Sequence, residues 1–486
     1  MARRRGSTRT RSAFAGPAAM LLALSMAACT AVVTPSPGMS GTASTSPRPT
    51  LDVATDEPTL APTDTPAPTD TPASTETPAP GVSPTDSPSP TGPSATSSPV
   101  APPSLGPLPS GRWTSIHWTH VATPAAFVAA ANAGNALAIF GWSRGYVGFD
   151  STDPRESDST NTDIYTLSSP DGVHWKAGQP LKFDEPIHIS NVVEGPAGLL
   201  AVGMYYPYVD VGPGAPDVAA VWRSTDGISW RRAAVFTVHP GGIDGGSAGY
   251  IATGNLSMDA NGAWLSRDGA NLRHVDLTAS AFDGVQRIES GTAFSGGYVI
   301  AGAAVGGTNG CGGGTATLVG SLWWSSDGKS WTCEALSGTT PGKDVSMTVS
   351  RISDKALLAC ESSTIDTSDG STVDTYWTST DGRNWKLTDL PDHGSNACTV
   401  LLTNGRRGLL LVPPWLDYGP SGSDTPYVVP ARIYAFEDDL SVVELAQSGD
   451  SPDERFQNEY AEAFGPTGLV VADTDGSSLW VGVPAG

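Results

Sequence analysis

A short acidic motif recurs along the C-terminal three quarters of the chain and restricts its fold more than any other feature. The pattern Ser-x-Asp-Gly-x-x-Trp occurs four times, beginning at Ser169, Ser224, Ser325 and Ser379. Two degenerate copies begin at Ser266 and Phe436, with Leu272 and Val442 in the Trp position. Successive third residues of the motif lie 55, 42, 59, 54 and 57 residues apart. A repeat of about 40–50 residues is typical of a four-stranded propeller blade.

A second landmark, a small apolar run typical of a buried strand, precedes each acidic turn. It occurs seven times, at 137–140, 199–202, 250–253, 298–301, 356–359, 409–412 and 469–472. The last repeat ends near Trp480 and so lacks its outer strand. The segment beginning at Gly111 precedes the first repeat and can supply that strand. The spacing therefore predicts an all-β fold, a single seven-bladed β-propeller over residues 111–486, in which an N-terminal strand closes the last blade.

Composition agrees with a β-rich body and excludes one class of partner. The chain has 56 Gly and 41 Pro, residues that weaken helix interiors and favour turns. Its formal net charge is −22, so a surface that neutralises nucleic-acid phosphates is not expected. We therefore predict no nucleic-acid partner.

The first 110 residues predict export and display. Residues 1–28 combine an arginine-rich start with a short apolar run, which is typical of a signal peptide. The run Met26-Ala27-Ala28-Cys29 resembles a bacterial lipobox, which implies lipid attachment at Cys29; the alternative is an ordinary secretory signal. Residues 29–110 are rich in Pro, Thr and Ser and predict a disordered stalk. The predicted location is the outer face of the bacterial cell membrane, with the N-terminal lipid as the only membrane contact.

The acidic motif resembles the Asp-box, or BNR, repeat of the sialidase-like β-propellers. The resemblance covers about 375 residues, with four intact and two degenerate copies. Asp and Gly suit a turn that needs side-chain capping and a positive φ. We therefore assign a structural role to the five aspartates of the motif, Asp171, Asp226, Asp268, Asp327 and Asp381.

Ligand recognition is predicted on the face with the long loops. Blade topology places the loops between second and third strands opposite the acidic turns, and function concentrates in long loops. These loops are rich in aromatic and acidic residues, as in a sugar-stacking or protein-recognition rim. The candidate ligand-binding residues are Trp142, Tyr146, Tyr205, Tyr206, Tyr208, Trp415, Asp417 and Tyr418, with Phe149 beside the first pair. The alternative is that these side chains pack the loops onto themselves.

Catalysis is the competing hypothesis. The resemblance implies that a sialidase would carry an arginine triad, a Tyr nucleophile with an adjacent Glu, and an Asp acid/base. Candidates on or near inner strands are Arg287, Arg351, Tyr460 and Glu462, but the expected Arg-Ile-Pro motif is absent from the sequence. An acid pair such as Asp150 with Glu156 has no motif behind it. The sequence thus predicts a non-catalytic module that binds a glycan or a cell-surface protein, with an extracellular exo-glycosidase of the sialidase type as the alternative.

Cofactor, disulfide and assembly expectations complete the sequence analysis. No cofactor or zinc motif is present, although the acidic loop from Asp150 to Asp163 makes Ca²⁺ an alternative. Four cysteines follow Cys29, and an even number in an exported chain suggests two disulfides. We favour Cys360–Cys398 because both fall on one face of adjacent blades, which leaves Cys311–Cys333. The chain is expected to be monomeric.

Overall fold

The computed structural model of the chain confirms a nearly all-β, seven-bladed propeller. The structure describes residues 105–122, 127, 135–152, 163–182, 188–204, 219–236, 242–257, 260–305, 318–334, 336–339, 344–364, 372–390, 401–412, 415–417, 427–452, 460–473 and 478–486. Within these ranges no helix is long and apolar enough to cross a bilayer.

Each blade is an antiparallel sheet whose strands run outward from the central axis in chain order. The N-terminal strand is β1 (Ser115–Val121). The first blade contains β2 (Asn135–Trp142), β3 (Gly145–Thr152), β4 (Asp163–Ser169) and β5 (Lys176–Ala177), with β6 (Leu181–Lys182) also pairing with β4. The second contains β7 (His188–Gly195), β8 (Gly198–Met204), β9 (Ala219–Ser224) and β10 (Arg231–Phe236). The third contains β11 (Gly242–Gly246), β12 (Gly249–Ser257), β13 (Ala260–Ser266) and β14 (Arg273–His274).

The remaining blades follow the same plan with one insertion. After a short 3₁₀ turn (Ser280–Phe282), the fourth blade contains β15 (Val285–Phe294), β16 (Gly297–Val305), β17 (Leu318–Ser325) and β18 (Thr332–Glu334). The fifth contains β19 (Asp344–Ser353), β20 (Ala356–Thr364), β21 (Thr372–Ser379) and β22 (Lys386–Leu387). In the sixth, β23 (Leu401–Thr403) and β24 (Gly408–Val412) precede an inserted hairpin, β25 (Trp415–Asp417) and β26 (Tyr427–Val429), and then β27 (Arg432–Phe436) and β28 (Val442–Glu444). The seventh begins from β29 (Ala446–Gly449), then β30 (Tyr460–Phe464), β31 (Leu469–Asp473) and β32 (Leu479–Ala485).

The predicted ring closure is confirmed. Strand β1 pairs antiparallel with β32 along its whole length, from Ser115 opposite Ala485 to Val121 opposite Leu479. Strand β29 then adds to β1 in parallel and makes the seventh blade five-stranded. The two ends of the described propeller are thus joined in one sheet, so its last blade depends on residues far apart in sequence.

The acidic turns are built by side chains that bind backbone amides. In the second blade the Ser224 hydroxyl accepts a hydrogen bond from the Gly227 amide at 2.8 Å and donates to the Asp226 carboxylate at 2.9 Å. That carboxylate also accepts a hydrogen bond from the Ser229 amide at 2.8 Å, and the Trp230 indole donates to the Gly227 carbonyl. Burial alone would raise the pKa of Asp226, but hydrogen bonds, chiefly from backbone amides, outweigh it and lower the pKa to about 2.

Close packing between blades depends on tyrosines that follow a glycine at the start of the second strand. Tyr250 donates to the Gly198 carbonyl at 2.8 Å, and Tyr298 donates to the Ala248 carbonyl at 2.7 Å. Tyr146 donates in the same way to the Gly468 carbonyl at 2.8 Å, which connects the first blade to the seventh. Each hydroxyl therefore satisfies a turn of the preceding blade.

One sequence assignment was wrong in the first blade. The sequence analysis groups the run 137–140 with six runs that all lie on the second strands of their blades, but 137–140 lies on β2, the innermost strand. The true counterpart is Gly145-Tyr146-Val147-Gly148 on β3, whose second glycine interrupts the apolar run. As a result Trp142, Tyr146 and Phe149 are strand residues rather than loop residues, and all three are buried.

Candidate functional site

The central channel contains a cavity of about 310 Å³ to which the innermost strands of all seven blades contribute. Its walls are mainly apolar strand residues and glycines, but four charged side chains line it: Glu194, Asp244, Arg351 and Glu462. In the sheet registers, each of them lies within three residue pairs of the turn that ends its innermost strand. The charged part of the cavity is therefore near the end of the channel that carries the acidic turns.

Arg351 is a buried cation in this wall. It lies on β19 and is 9% exposed. Its Nη1 atom is 4.0 Å from the Asp354 carboxylate, and within the described chain its buried Nε atom has no hydrogen-bond partner. A guanidinium carries five N–H donors, and leaving buried donors unsatisfied is costly. Arg351 thus has an unsatisfied hydrogen-bond donor in the wall of the cavity.

Asp244 faces the same region from the third blade. Its carboxylate accepts hydrogen bonds from the Gly245 amide at 2.7 Å and from the Thr292 hydroxyl of the fourth blade. Burial raises the pKa of Asp244, and the positive charge of Arg351 together with these hydrogen bonds opposes the shift only in part. Asp244 is therefore mainly occupied by protein contacts and partly balances the charge of Arg351.

Among the four charged groups of the cavity, the Glu462 carboxyl has the least stabilisation from neighbouring described residues. It lies on β30, and burial raises the pKa of its carboxyl to about 7. No hydrogen bond or ion pair of this carboxyl is found within the described residues. A carboxyl with that pKa is present in both protonation states near neutral pH and can donate or accept a hydrogen bond.

At the acidic-turn end of the channel, Asp354 makes hydrogen bonds with turns of three other blades. The Ser247 amide of the third blade donates to its carboxylate at 3.0 Å, and the Ser295 amide of the fourth blade donates to its carbonyl at 2.9 Å. The Asp354 amide in turn donates to the Gly405 carbonyl of the sixth blade at 3.0 Å. Turns from four blades therefore meet at one residue at this end of the channel.

Glu194 closes a further junction between blades. Its two carboxylate oxygens accept hydrogen bonds from the Ser143 amide at 2.8 Å and the Ser143 hydroxyl at 2.6 Å. Like Asp244, it is occupied by the neighbouring blade. Arg351 and Glu462 are the two charged side chains of the cavity wall without a hydrogen bond in the described structure.

Only some of the four catalytic candidates from the sequence lie at the cavity. Arg351 and Glu462 meet at the cavity, whereas Arg287 lies near the loop end of β15, with ion pairs to Glu289 at 2.5 Å and Asp344 at 2.7 Å. Tyr460 lies two residues before Glu462 on β30, and nothing is described of its side chain. The structure therefore brings together two of the four catalytic candidates.

The structure gives side-chain positions for only some of the candidate ligand-binding residues. Trp142 lines the cavity and is 6% exposed, with the Arg144 guanidinium 4.2 Å from its ring centre. Tyr146 is fully buried beneath the first blade, so its predicted place on a ligand rim is wrong. Trp415 and Asp417 lie on the inserted hairpin, and their side chains are not described. Tyr205, Tyr206, Tyr208, Tyr418 and Cys29 lie outside the described residues.

The metal and disulfide predictions stay predictions. Among the described residues no group of three or more His, Cys, Asp or Glu side chains could hold a metal ion. Most of the acidic loop from Asp150 to Asp163 lies outside those residues. Cys360 is buried on β20 and Cys333 lies on β18, but both proposed partners, Cys398 and Cys311, lie outside the described chain.

Sequence reasoning missed Asp244, Glu194 and Asp354. A usable signal was present, because Glu194 and Asp244 each stand just before glycine at the end of an innermost strand. A charged residue in an otherwise small or apolar strand end indicates a specific partner, since an unpaired buried charge is unfavourable.

Comparisons with known proteins concern the fold alone. No protein-family model matches the chain, and no curated protein matches it. Among solved structures it is similar to Zg3597, a family 117 glycoside hydrolase of Zobellia galactanivorans (13% identity, 68% of this chain, 91% of that chain, TM-score 0.30). It is also similar to the α-L-arabinofuranosidase Arb93A of Fusarium graminearum (11%, 77%, 98%, 0.30) and to the RRP9 WD40 repeats (10%, 79%, 100%, 0.37). The propeller assignment rests on the strand order of the chain itself, and these neighbours assign it no activity.

Proposed function

We propose that this protein is an extracytoplasmic, lipid-anchored propeller that binds a glycan in its central channel without chemical turnover. The observation that carries the proposal is the pair Arg351 and Glu462, two charged side chains that line one cavity and make no hydrogen bond within the described residues. Polar groups in a protein interior are normally hydrogen-bonded, so charged side chains that lack hydrogen bonds beside a cavity favour a ligand or bound water there. A polyhydroxylated ring offers both donors and acceptors to such groups.

The size and shape of the cavity favour a glycan over a folded protein partner. About 310 Å³ is at the lower limit of small-molecule sites and suits a terminal sugar rather than a protein segment. Phe140, Trp142 and Phe464 contribute to the apolar part of the wall. The aromatic loops predicted around the channel mouth, including Tyr205 and Trp415, would contact the rest of the glycan.

The proposal also includes the location of the protein and its kinship with a propeller family. The signal peptide and the Cys29 lipobox support anchoring at the outer face of the membrane, and the stalk of residues 29–110 would hold the propeller away from it. The acidic turns support kinship with the Asp-box propellers, because the hydrogen bonds at Ser224 and Asp226 recur at Ser379 and Asp381.

The test is a glycan-array screen of the full chain carrying Cys29→Ser, which cannot be acylated, followed by calorimetry on the best ligand. Arg351→Ala and Glu462→Ala should each weaken binding at least about tenfold, because each removes a charged hydrogen-bonding group from the cavity wall. Arg287→Ala is the matched control, since that arginine lies outside the cavity wall. Unchanged affinity in Arg351→Ala with normal folding would refute the channel as the site.

A glycosidase is the second candidate because of one observation. Burial holds the pKa of Glu462 at about 7, the range suited to a general acid at neutral pH. Hydrolysis by this mechanism also needs a second carboxylate within roughly 5–10 Å, and Asp244 is the residue of the cavity to test. Release of fluorophore from a glycoside panel by the parent chain, abolished in Glu462→Gln, would replace the binding proposal with a catalytic one.

A further inference from the structure

The sixth blade departs from the acidic turn that the first five blades share. Phe436 occupies the Ser position, Asp439 the Gly position, and Val442 the Trp position. The turn is instead held by the Leu440 amide donating to the Glu437 carbonyl at 2.9 Å and the Glu437 amide donating to the Ser441 carbonyl at 2.9 Å. Leu440 has a φ of 65°, in a region that costs a non-glycine residue free energy. Backbone strain of this kind concentrates at functional sites.

A groove of about 680 Å³ lies beside this altered turn on the acidic-turn face. Its walls include the turns of the fifth and sixth blades, which contribute Lys355 and Arg406. Both side chains are exposed, and neither makes an ion pair within the described residues. The hydroxyl groups of Ser295, Ser353 and Thr380 line the same groove. The groove therefore presents two exposed cations, without ion pairs in the described chain, in a lining that also includes Glu437 and Asp438.

Arg407 also lines the groove, and its guanidinium packs over the ring of Trp113. Its guanidinium lies 4.4 Å from the ring centre of Trp113, which is 1% exposed. It approaches Glu437 at 4.0 Å and Asp438 at 3.9 Å, and its buried Nη1 atom has no hydrogen-bond partner in the described structure. The two acids lower the local positive charge but leave a net excess of one cation among the groove residues.

The chain leading from the predicted stalk reaches the propeller next to this groove. The Leu108 amide donates to the Pro466 carbonyl at 3.2 Å, in the turn between β30 and β31. The Trp113 amide donates to the Glu437 carboxylate at 3.1 Å, and Trp113 is also the ring beneath Arg407. The acidic-turn face is thus the face from which residues 105–113 run toward the N-terminus.

We propose that this groove binds phosphate groups. Guanidinium and ammonium groups with nearby hydroxyl donors are the groups that proteins use to bind phosphate. Anions are generally repelled by a chain of net charge −22, so a groove with unpaired cations stands out from the average surface.

The experiment measures binding of the full chain carrying Cys29→Ser to two phosphate probes and one neutral probe. The probes are vesicles rich in phosphatidylglycerol, soluble poly(glycerol phosphate), and vesicles of phosphatidylcholine. The test variant is Lys355→Glu with Arg406→Glu. The control is Lys176→Glu with Lys386→Glu, which changes net charge equally at exposed outer-strand lysines away from the groove. Circular dichroism checks that both variants are folded.

The expected result is salt-sensitive binding to a phosphate probe that falls at least about tenfold in the groove variant and much less in the control. Binding to phosphatidylglycerol vesicles would identify lipid headgroups as the source of phosphate. Binding to poly(glycerol phosphate) alone would identify a cell-wall type polymer. Absence of binding to either phosphate probe, equal binding to phosphatidylcholine, or an equal loss in the control variant would overturn the proposal.

Discussion

At the scale of the residue, the protein uses its carboxylates in two opposite ways. In the acidic turns, backbone amides lower the pKa of Asp226, Asp327 and Asp381 to about 2, which keeps these groups charged. In the channel, burial raises the pKa of Glu462 to about 7, because little there stabilises the charge. The first use stabilises turns, whereas the second is unfavourable for folding and suits a site that a ligand completes.

Glu462 gives a prediction for stability against pH. The folded protein holds this proton more tightly than the unfolded chain, so the free energy of unfolding falls as pH rises from about 4.5 to about 7 and then levels off. A shift of that size corresponds to about 3 kcal/mol. Glu462→Gln stays neutral and should therefore unfold at a higher temperature than the parent at about pH 8, and at a similar temperature at about pH 4.

The measurement is differential scanning calorimetry of both proteins across this pH range. Asp244 shifts in the same direction but is unchanged by the substitution, so it cancels in the comparison. Parallel stability curves with no gain at high pH would show that the Glu462 carboxyl is already well solvated or paired.

At the scale of the element, innermost strands approach so closely that some positions tolerate only glycine. A Cβ at Gly246 on β11 would overlap the Ala293 carbonyl oxygen of the fourth blade, and one at Gly141 on β2 would overlap the Phe464 carbonyl oxygen of the seventh. At Gly242, also on β11, the nearest atom would be the Thr253 hydroxyl at 3.9 Å. Glycines on one strand thus have different roles.

This contrast predicts different outcomes for two substitutions of the same kind on β11. Gly246→Ala should lower the free energy of unfolding by roughly 1–3 kcal/mol, because a rigid backbone carbonyl has to move. Gly242→Ala should change it by less than about 0.5 kcal/mol. Urea unfolding followed by tryptophan fluorescence measures both, and equal losses would mean that the blades can separate at Gly246 without cost.

The first blade shows how far strand order could be predicted from sequence. The blade count and the closing strand follow from the repeat spacing, because each blade needs a similar length of chain. The spacing does not show which strand of the first blade is its second strand. Leu137 to Phe140 on β2 resembles the second strands of other blades better than Gly145 to Gly148 on β3 does. The grouping of Arg351, Glu462 and Asp244 was equally hidden, because only closure of the ring brings the third, fifth and seventh blades around one cavity.

At the scale of the whole molecule, the channel exists only while the ring is closed. Closure depends on β1, whose Ile116 and Trp118 are buried in the core between the sixth and seventh blades. The Trp118 indole also donates to the Gln447 side chain at 3.0 Å, which ties β29 to the same strand. The seventh blade supplies Glu462 to the cavity, so binding in the channel and closure by β1 are expected to be coupled.

Trp118→Ala tests that coupling against His117→Ala, an exposed neighbour on the same strand. Loss of a buried indole should cost about 3–5 kcal/mol, whereas an exposed side chain should cost less than about 0.5 kcal/mol. Because β1 holds two strands of the seventh blade, hydrogen exchange in Trp118→Ala should speed up together in β29, β1 and β32 and remain slow in the third and fourth blades. Faster exchange confined to β1 would show that the blade persists without its closing strand, and uniform acceleration in every blade would show that the ring unfolds only as a whole.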